Sequence, residues 1–142
     1  MVRSATSIWT GLGKSGAGSI TTGSGVISGL PYNFTQRFGE EKGTNPEELI
    51  AAAHAGCFAM AFAVRLENNG ITPEQVTATA NVTMEKTDAG MTITKSHLVM
   101  TAKVPGMDDA AFQEHAKGAK EGCPISRLLS PAIEITLEAT LA

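Results

Sequence analysis

Two cysteines, a histidine, an arginine and a glutamate carry most of the chemistry that this 142-residue chain offers. Cys57 lies in NPEELIAAAHAGCFAMAFAVRLENNG, a stretch that is apolar on nearly every side. A thiol in such surroundings keeps its proton, because burial disfavours the thiolate, so Cys57 becomes a nucleophile only beside a cation. His54, Arg65 and Arg37 are the candidates. Cys123 has the opposite local setting. It stands in Gly-Cys-Pro-Ile at a helix start, where free amide donors and the helix dipole stabilise a thiolate. On local chemistry alone Cys123 is the more reactive thiol, and a small residue tucked under a turn is an equal reading.

At about 100° per residue, His54 falls on the same face as Cys57, one turn earlier. There it can act as a base, or sit as a core histidine bonded to a backbone carbonyl, which is the commoner habit. Arg65 stands two turns after Cys57, near the solvated helix end, and is expected to snorkel. Glu47 is ten residues before Cys57 and about 80° round the helix from it. It either complements the positive end of the helix dipole, as Glu48 does, or holds an arginine over the thiol. Arg37 sits between Phe34 and Phe38, an odd place for a cation unless a carboxylate partners it. Glu47 is one such partner.

The elements that position these groups follow from caps and periodicity. Asn45 as N-cap, Pro46 at the first helical position and Glu48 three residues after the cap start a strong helix. It runs to about Glu67 and stops at Asn68-Asn69-Gly70. From Leu49 to Val64 its only strongly polar side chain is His54, so the helix is expected to be buried all round. Those sixteen residues, many of them alanine, fall short of the roughly 20 that span a bilayer, so a core helix is expected rather than a membrane one.

The first 35 residues read as short strands between glycine turns: Ala5 to Thr10, Ser19 to Thr22, then Val26 and Ile27. Tyr32 to Phe38 reads as extended. From Gln75 the period becomes two, turning at Asp88-Ala89-Gly90 into a second long strand, Met91 to Val104. The alternation changes phase between Ile93 and Leu98, which predicts a bulge. Asp108 to Glu121 reads as a helix, Pro124 opens a short further helix to Leu129, and Ile133 to Leu141 is a last strand. The class is α+β, in a single domain over residues 1–142. One small sheet is too little to cover so apolar a helix, so a symmetric dimer sharing it as a core is expected.

Composition removes several classes of function. Net charge is −3, from 11 basic and 14 acidic residues with no basic cluster, which argues against nucleic acid and anionic membrane surfaces. MVRSATSIWTGLGK lacks the apolar run of a secretory signal, and two cysteines are too few for a disulfide framework. With no clustered histidines they make no zinc site either. Free thiols in a cytoplasmic protein are expected.

RFGEEKGTNPEELIAAAHAGCFAMA, DAGMTITK, GCPIS and PYNFTQRF together resemble the osmotically inducible protein C branch of the OsmC/Ohr family. The resemblance covers essentially the whole chain, with the cysteines 66 residues apart. It implies antiparallel sheets wrapped around a long buried central helix, in an intertwined homodimer with two active sites at the subunit interface. It also implies a thiol peroxidase for organic hydroperoxides, and hydrogen peroxide besides, in oxidative and osmotic stress defence. Carried over by position, Cys57 is the peroxidatic cysteine and Cys123 the resolving one, with Arg37 holding the Cys57 thiolate and Glu47 orienting Arg37. Cys57 sulfenic acid then condenses with Cys123 to a disulfide. The implied reductant is an external dithiol of the dihydrolipoyl type, with no metal and no bound cofactor. Phe34, Phe38, Phe58, Met60 and His54 are candidates for an apolar substrate pocket. Local chemistry favours Cys123 and the resemblance favours Cys57 as the attacking thiol. The resemblance is followed, because a thiol's spatial neighbours set its pKa. The alternative is a stress-induced module that binds a lipid-like ligand or senses redox state without turnover.

Overall fold

In the computed structural model, which describes Met1–Ala142, the glycine turns near the N-terminus produce a three-stranded antiparallel sheet. Strand β1 (Ala5–Thr10) pairs with β2 (Ala17–Thr22), and β2 pairs with β3 (Leu30–Asn33). Gly11, at φ 88°, begins the β1–β2 connection in a conformation that L side chains avoid. Gly18 leaves room for its cross-strand neighbours Trp9 and Tyr32, whose rings meet at 5.4 Å. Val26 and Ile27 form no strand but belong to the turn between β2 and β3. Nor is Tyr32 to Phe38 extended throughout. The Asn33 side chain accepts from Gln36 N at 2.8 Å and starts a short helix, α1 (Phe34–Phe38). A good N-cap overrides the strand preference of the aromatic residues.

The capping seen in the sequence starts α2 (Pro46–Glu67): Glu48 N donates to Asn45 Oδ1 at 2.8 Å. The chain divides into two compact units, Met1–Leu49 and Ile50–Ala142. The second unit holds the body of α2, strands β4 (Gln75–Thr87) and β5 (Gly90–Lys103), and helices α3 (Asp109–Gly122) and α4 (Pro124–Leu129). It closes with β6 (Glu134–Leu141). β4 and β5 form an antiparallel hairpin. Thr83 pairs with Lys95 and Met84 with Ile93, leaving Thr94 as the extra residue, within the segment where the alternation changes phase. β6 then joins β5 in parallel, with Lys95 facing Glu134 and Ala102 facing Leu141. This corrects the expectation of wholly antiparallel sheets. Two helices intervene between β5 and β6, and such a connection carries the chain back to start a parallel strand.

Leu98, Met100 and Ala102 of β5, Phe58, Phe62 and Leu66 of α2, and Phe112 and Ala116 of α3 make the core. Phe62 and Phe112 meet edge to face at 5.5 Å. Helix α2 is not buried all round within this chain. Its inner face, His54, Phe58, Phe62 and Leu66, is fully buried at every fourth position. The opposite stripe of Ala52, Gly56, Met60 and Val64 is exposed, Met60 at 66%. At 22 residues α2 also has the length and hydropathy to cross a membrane, because the helix extends past the sixteen-residue apolar run at both ends.

Candidate active site

Cys57 stands in the middle of α2, and Cys123 stands where α3 gives way to α4. Pro124 lacks the N–H needed to continue α3 but fits the first position of a new helix. Cys123 therefore serves both helices: its N–H donates to Ala119 O at 2.9 Å, and its carbonyl accepts from Arg127 N at 2.9 Å. This break brings the sulfurs of Cys123 and Cys57 to 3.0 Å, both as free thiols. Cys123 is fully buried and Cys57 partly exposed.

Burial is the first influence on Cys57 and pushes its thiol above the ordinary cysteine value. The hydrogen bond between the two sulfurs pushes the same way, with a smaller electrostatic contribution from Cys123 added to it. The backbone N–H of Ile125, in the first turn of α4, pulls the other way. An amide at the start of α4 thus acts on Cys57.

His54 is fully buried and bonds no backbone carbonyl. Its Nδ1 lies 2.7 Å from Ser96 Oγ and its Nε2 lies 2.8 Å from Ser126 Oγ. In neutral imidazole one nitrogen donates and the other accepts, and hydroxyls can answer either role. Burial holds the His54 pKa below the ordinary histidine range. Sequence reasoning passed over both serines, although Ser126 ends the GCPIS motif; a buried histidine needs two partners, and that need was the available signal.

In the first unit, Arg37 of α1 and Glu47 of α2 form a side-on clamp. Arg37 Nη2 is 2.6 Å from Glu47 Oε1, and Nε is 3.1 and 3.2 Å from the two carboxylate oxygens. The hydrogen bond to Glu47 raises the Arg37 pKa. Its guanidinium carbon lies 4.9 Å from the centre of the Phe38 ring, which packs on Phe34 at 4.8 Å. The structure thus brings Cys57 to Cys123 in one unit and Arg37 to Glu47 in the other.

A cavity of about 450 Å³ opens beside Cys57, lined along α2 by Met60, Ala61, Val64 and Arg65. Of the pocket candidates, Met60 lines it, whereas Phe58 and His54 face the core, Phe38 lies under Arg37, and Phe34 packs on Phe38. Arg65 does not snorkel. Its guanidinium lies against Gly118 of α3, with Nε buried and unpartnered. No cluster of three His, Cys, Asp or Glu side chains stands where it could hold a metal ion.

This fold with two facing thiols defines a paired-cysteine α+β protein. Residues 39–138 match the family model described as OsmC-like protein, and the chain belongs to that family. It is 48% identical over 130 residues to peroxiredoxin OsmC of Escherichia coli K12, covering 92% of this chain and 90% of that one. It is 34% identical over 100 residues to the organic hydroperoxide resistance protein OhrA of Bacillus subtilis 168, covering 69% and 68%. The crystal structure of OhrB of Bacillus subtilis is similar over 96% of this chain and 98% of that chain, with TM-score 0.73 and 25% identity. An organic hydroperoxide resistance protein from Elizabethkingia anophelis shares the fold over 100% and 99%, with TM-score 0.79 and 23% identity.

Proposed function

We propose that this protein is a cysteine-based peroxidase that reduces hydroperoxides, organic ones foremost, in oxidative and osmotic stress defence. The observation that carries this reading is the 3.0 Å approach of Cys57 and Cys123 in a chain 48% identical to a peroxiredoxin. Cys57, as thiolate, attacks the outer peroxide oxygen. The O–O bond breaks, the alcohol leaves with a proton, and Cys57 becomes a sulfenic acid. The Cys123 thiol then attacks that sulfur, water departs, and a Cys57–Cys123 disulfide forms. The sulfurs close by only about 1 Å to reach bonding distance. An external dithiol of the dihydrolipoyl type returns two electrons and two protons. The reading calls for no metal and no bound cofactor, because sulfur carries both electrons.

Burial alone leaves Cys57 protonated, so the reaction needs a cation. Arg37 takes that role here, with Glu47 as its positioning residue. Support comes from the family resemblance and from the fixed geometry of the clamp. The exposed apolar stripe of α2 supports a homodimer, in which a second copy covers Met60 and Val64 and two active sites lie at the interface. A cytoplasmic location fits thiols that stay reduced between turnovers.

Cysteine variants test the reading with cumene hydroperoxide in a lipoamide-coupled assay. Cys57→Ser is expected to consume none. Cys123→Ser is expected to perform one turnover and stop at oxidised Cys57. Full turnover in Cys57→Ser, with none in Cys123→Ser even at a single turnover, reverses the roles.

A further inference from the structure

Arg65 is a cation that the peroxidase reading does not use, and its placement is specific. The cavity beside Cys57 has a floor of α2 residues spaced four apart, Cys57, Ala61 and Arg65, with Met60 and Val64 as its outer rim. Its volume of about 450 Å³ lies within the range of small-ligand sites, roughly 300–1,000 Å³. Near Cys57 the walls are apolar, and at the far end they turn polar. No salt bridge in the chain involves Arg65, and its buried Nε has no hydrogen-bond partner. The side chain is nonetheless held. A Cβ on Gly118 of α3 would stand 2.6 Å from Arg65 Nε and 2.7 Å from Nη1, so only glycine leaves the guanidinium its seat. A glycine inside a helix is destabilising relative to alanine, and this seat gives it a purpose. Asn69 Nδ2 donates to the Arg65 carbonyl at 2.8 Å, which occupies one of the acceptors at the helix end that would repel an anion.

We infer that Arg65 anchors the carboxylate of a long-chain acid hydroperoxide whose hydrocarbon lies along the cavity and whose peroxide meets Cys57. The inference rests on the peroxidase reading and adds a specificity-determining residue to it. Eight helical residues separate the two ends by about 12 Å, the reach of a medium-length acyl segment. An unpaired guanidinium in partly dry surroundings gains most from a carboxylate, which it can bind with two parallel hydrogen bonds. The second copy proposed for the outer stripe of α2 would cover the rim at Met60 and Val64 and close the channel over the chain.

The test compares linoleic acid hydroperoxide with its methyl ester, with cumene hydroperoxide as a reference that has no acid group. Wild-type protein is expected to prefer the acid over the ester by roughly ten- to hundredfold in KM, the range of a charge-assisted hydrogen bond. Arg65→Gln and Gly118→Ala should both bring that ratio close to one, and Arg65→Lys should restore part of it. An acid-to-ester ratio near one in the wild type, with cumene hydroperoxide consumed, overturns the Arg65 role and leaves the peroxidase reading standing. A second measurement is independent of turnover. Oleate should slow iodoacetamide alkylation of Cys57 more than methyl oleate does, and Arg65→Gln should remove the difference. Equal protection by acid and ester overturns the inference, whether or not any hydroperoxide is consumed.

Discussion

His54 Nε2 stands 2.8 Å from Ser126 Oγ; His54 is three residues before Cys57, and Ser126 is three residues after Cys123. Its other ring nitrogen is fastened to Ser96 of β5. One buried imidazole therefore ties together the helix carrying Cys57, the helix that Cys123 caps, and the central strand of their sheet. The spacing of the sulfurs is held by a hydrogen-bonded ring beside them as well as by their own contact.

That ring makes stability depend on pH. Burial holds the folded-state pKa of His54 below its unfolded value, so below about pH 6.5 the unfolded chain binds a proton that the folded one refuses. This contribution to stability is fully present above that pH and is lost as pH falls toward the folded-state pKa. Urea midpoints measured from pH 8 to pH 5, both in the neighbourhood of that ordinary histidine value, should fall toward acid. His54→Gln should flatten the slope, and an identical slope in the variant would show that His54 does not cause it.

The Arg37–Glu47 clamp is expected to matter for reactivity and little for stability. Arg37 remains 38% exposed, and pairs of that kind contribute about 0–1 kcal/mol. Glu47→Gln should leave the denaturation midpoint nearly unmoved while slowing hydroperoxide reduction about tenfold or more. Arg37→Ala should raise the Cys57 pKa, read from ultraviolet thiolate absorbance. An unchanged thiol titration removes Arg37 from the site.

Phe62 is fully buried, edge to face against Phe112. Phe62→Ala should destabilise the protein by about 3–5 kcal/mol, because the tight core leaves a cavity behind. Equilibrium denaturation reads the loss. A change below about 1 kcal/mol would mean that the core collapses around the gap.

Met60 lies at the centre of the exposed stripe of α2. Wild-type protein should sediment at twice the 14.7 kDa chain mass, and Met60→Glu, which puts an unpaired carboxylate into an apolar contact, should sediment as one chain. Wild-type protein at a single chain mass rules out the dimer.

Local signals in the sequence were enough to place most elements. Asn45, Pro46 and Glu48 mark the start of α2, and the phase change after Ile93 marks the bulge at Thr94. Asn33 misleads, because one capping side chain starts α1 inside a run of aromatic residues that favours a strand. The parallel pairing of β6 is set by two intervening helices and is invisible to periodicity. At the site, the missing carboxylate for Arg37 was legible because an arginine among phenylalanines has to be paired. Ser96 and Ser126 were not legible, since they lie 42 and 72 residues from His54 and only folding makes them neighbours. Arg65 misleads for a related reason: the glycine that lets it fold inward belongs to another helix.

The break in the helices at Cys123 has a thermodynamic consequence. The two sulfurs are 66 residues apart in the chain, and joining them forbids a wide set of open conformations to the unfolded protein. A closed loop of that length stabilises the folded state by about 4 kcal/mol on the chain-entropy model. If the proposed disulfide forms, the fold itself favours it, and a reductant would pull against folding as well as against sulfur chemistry. The melting temperature of the protein then reports its redox state.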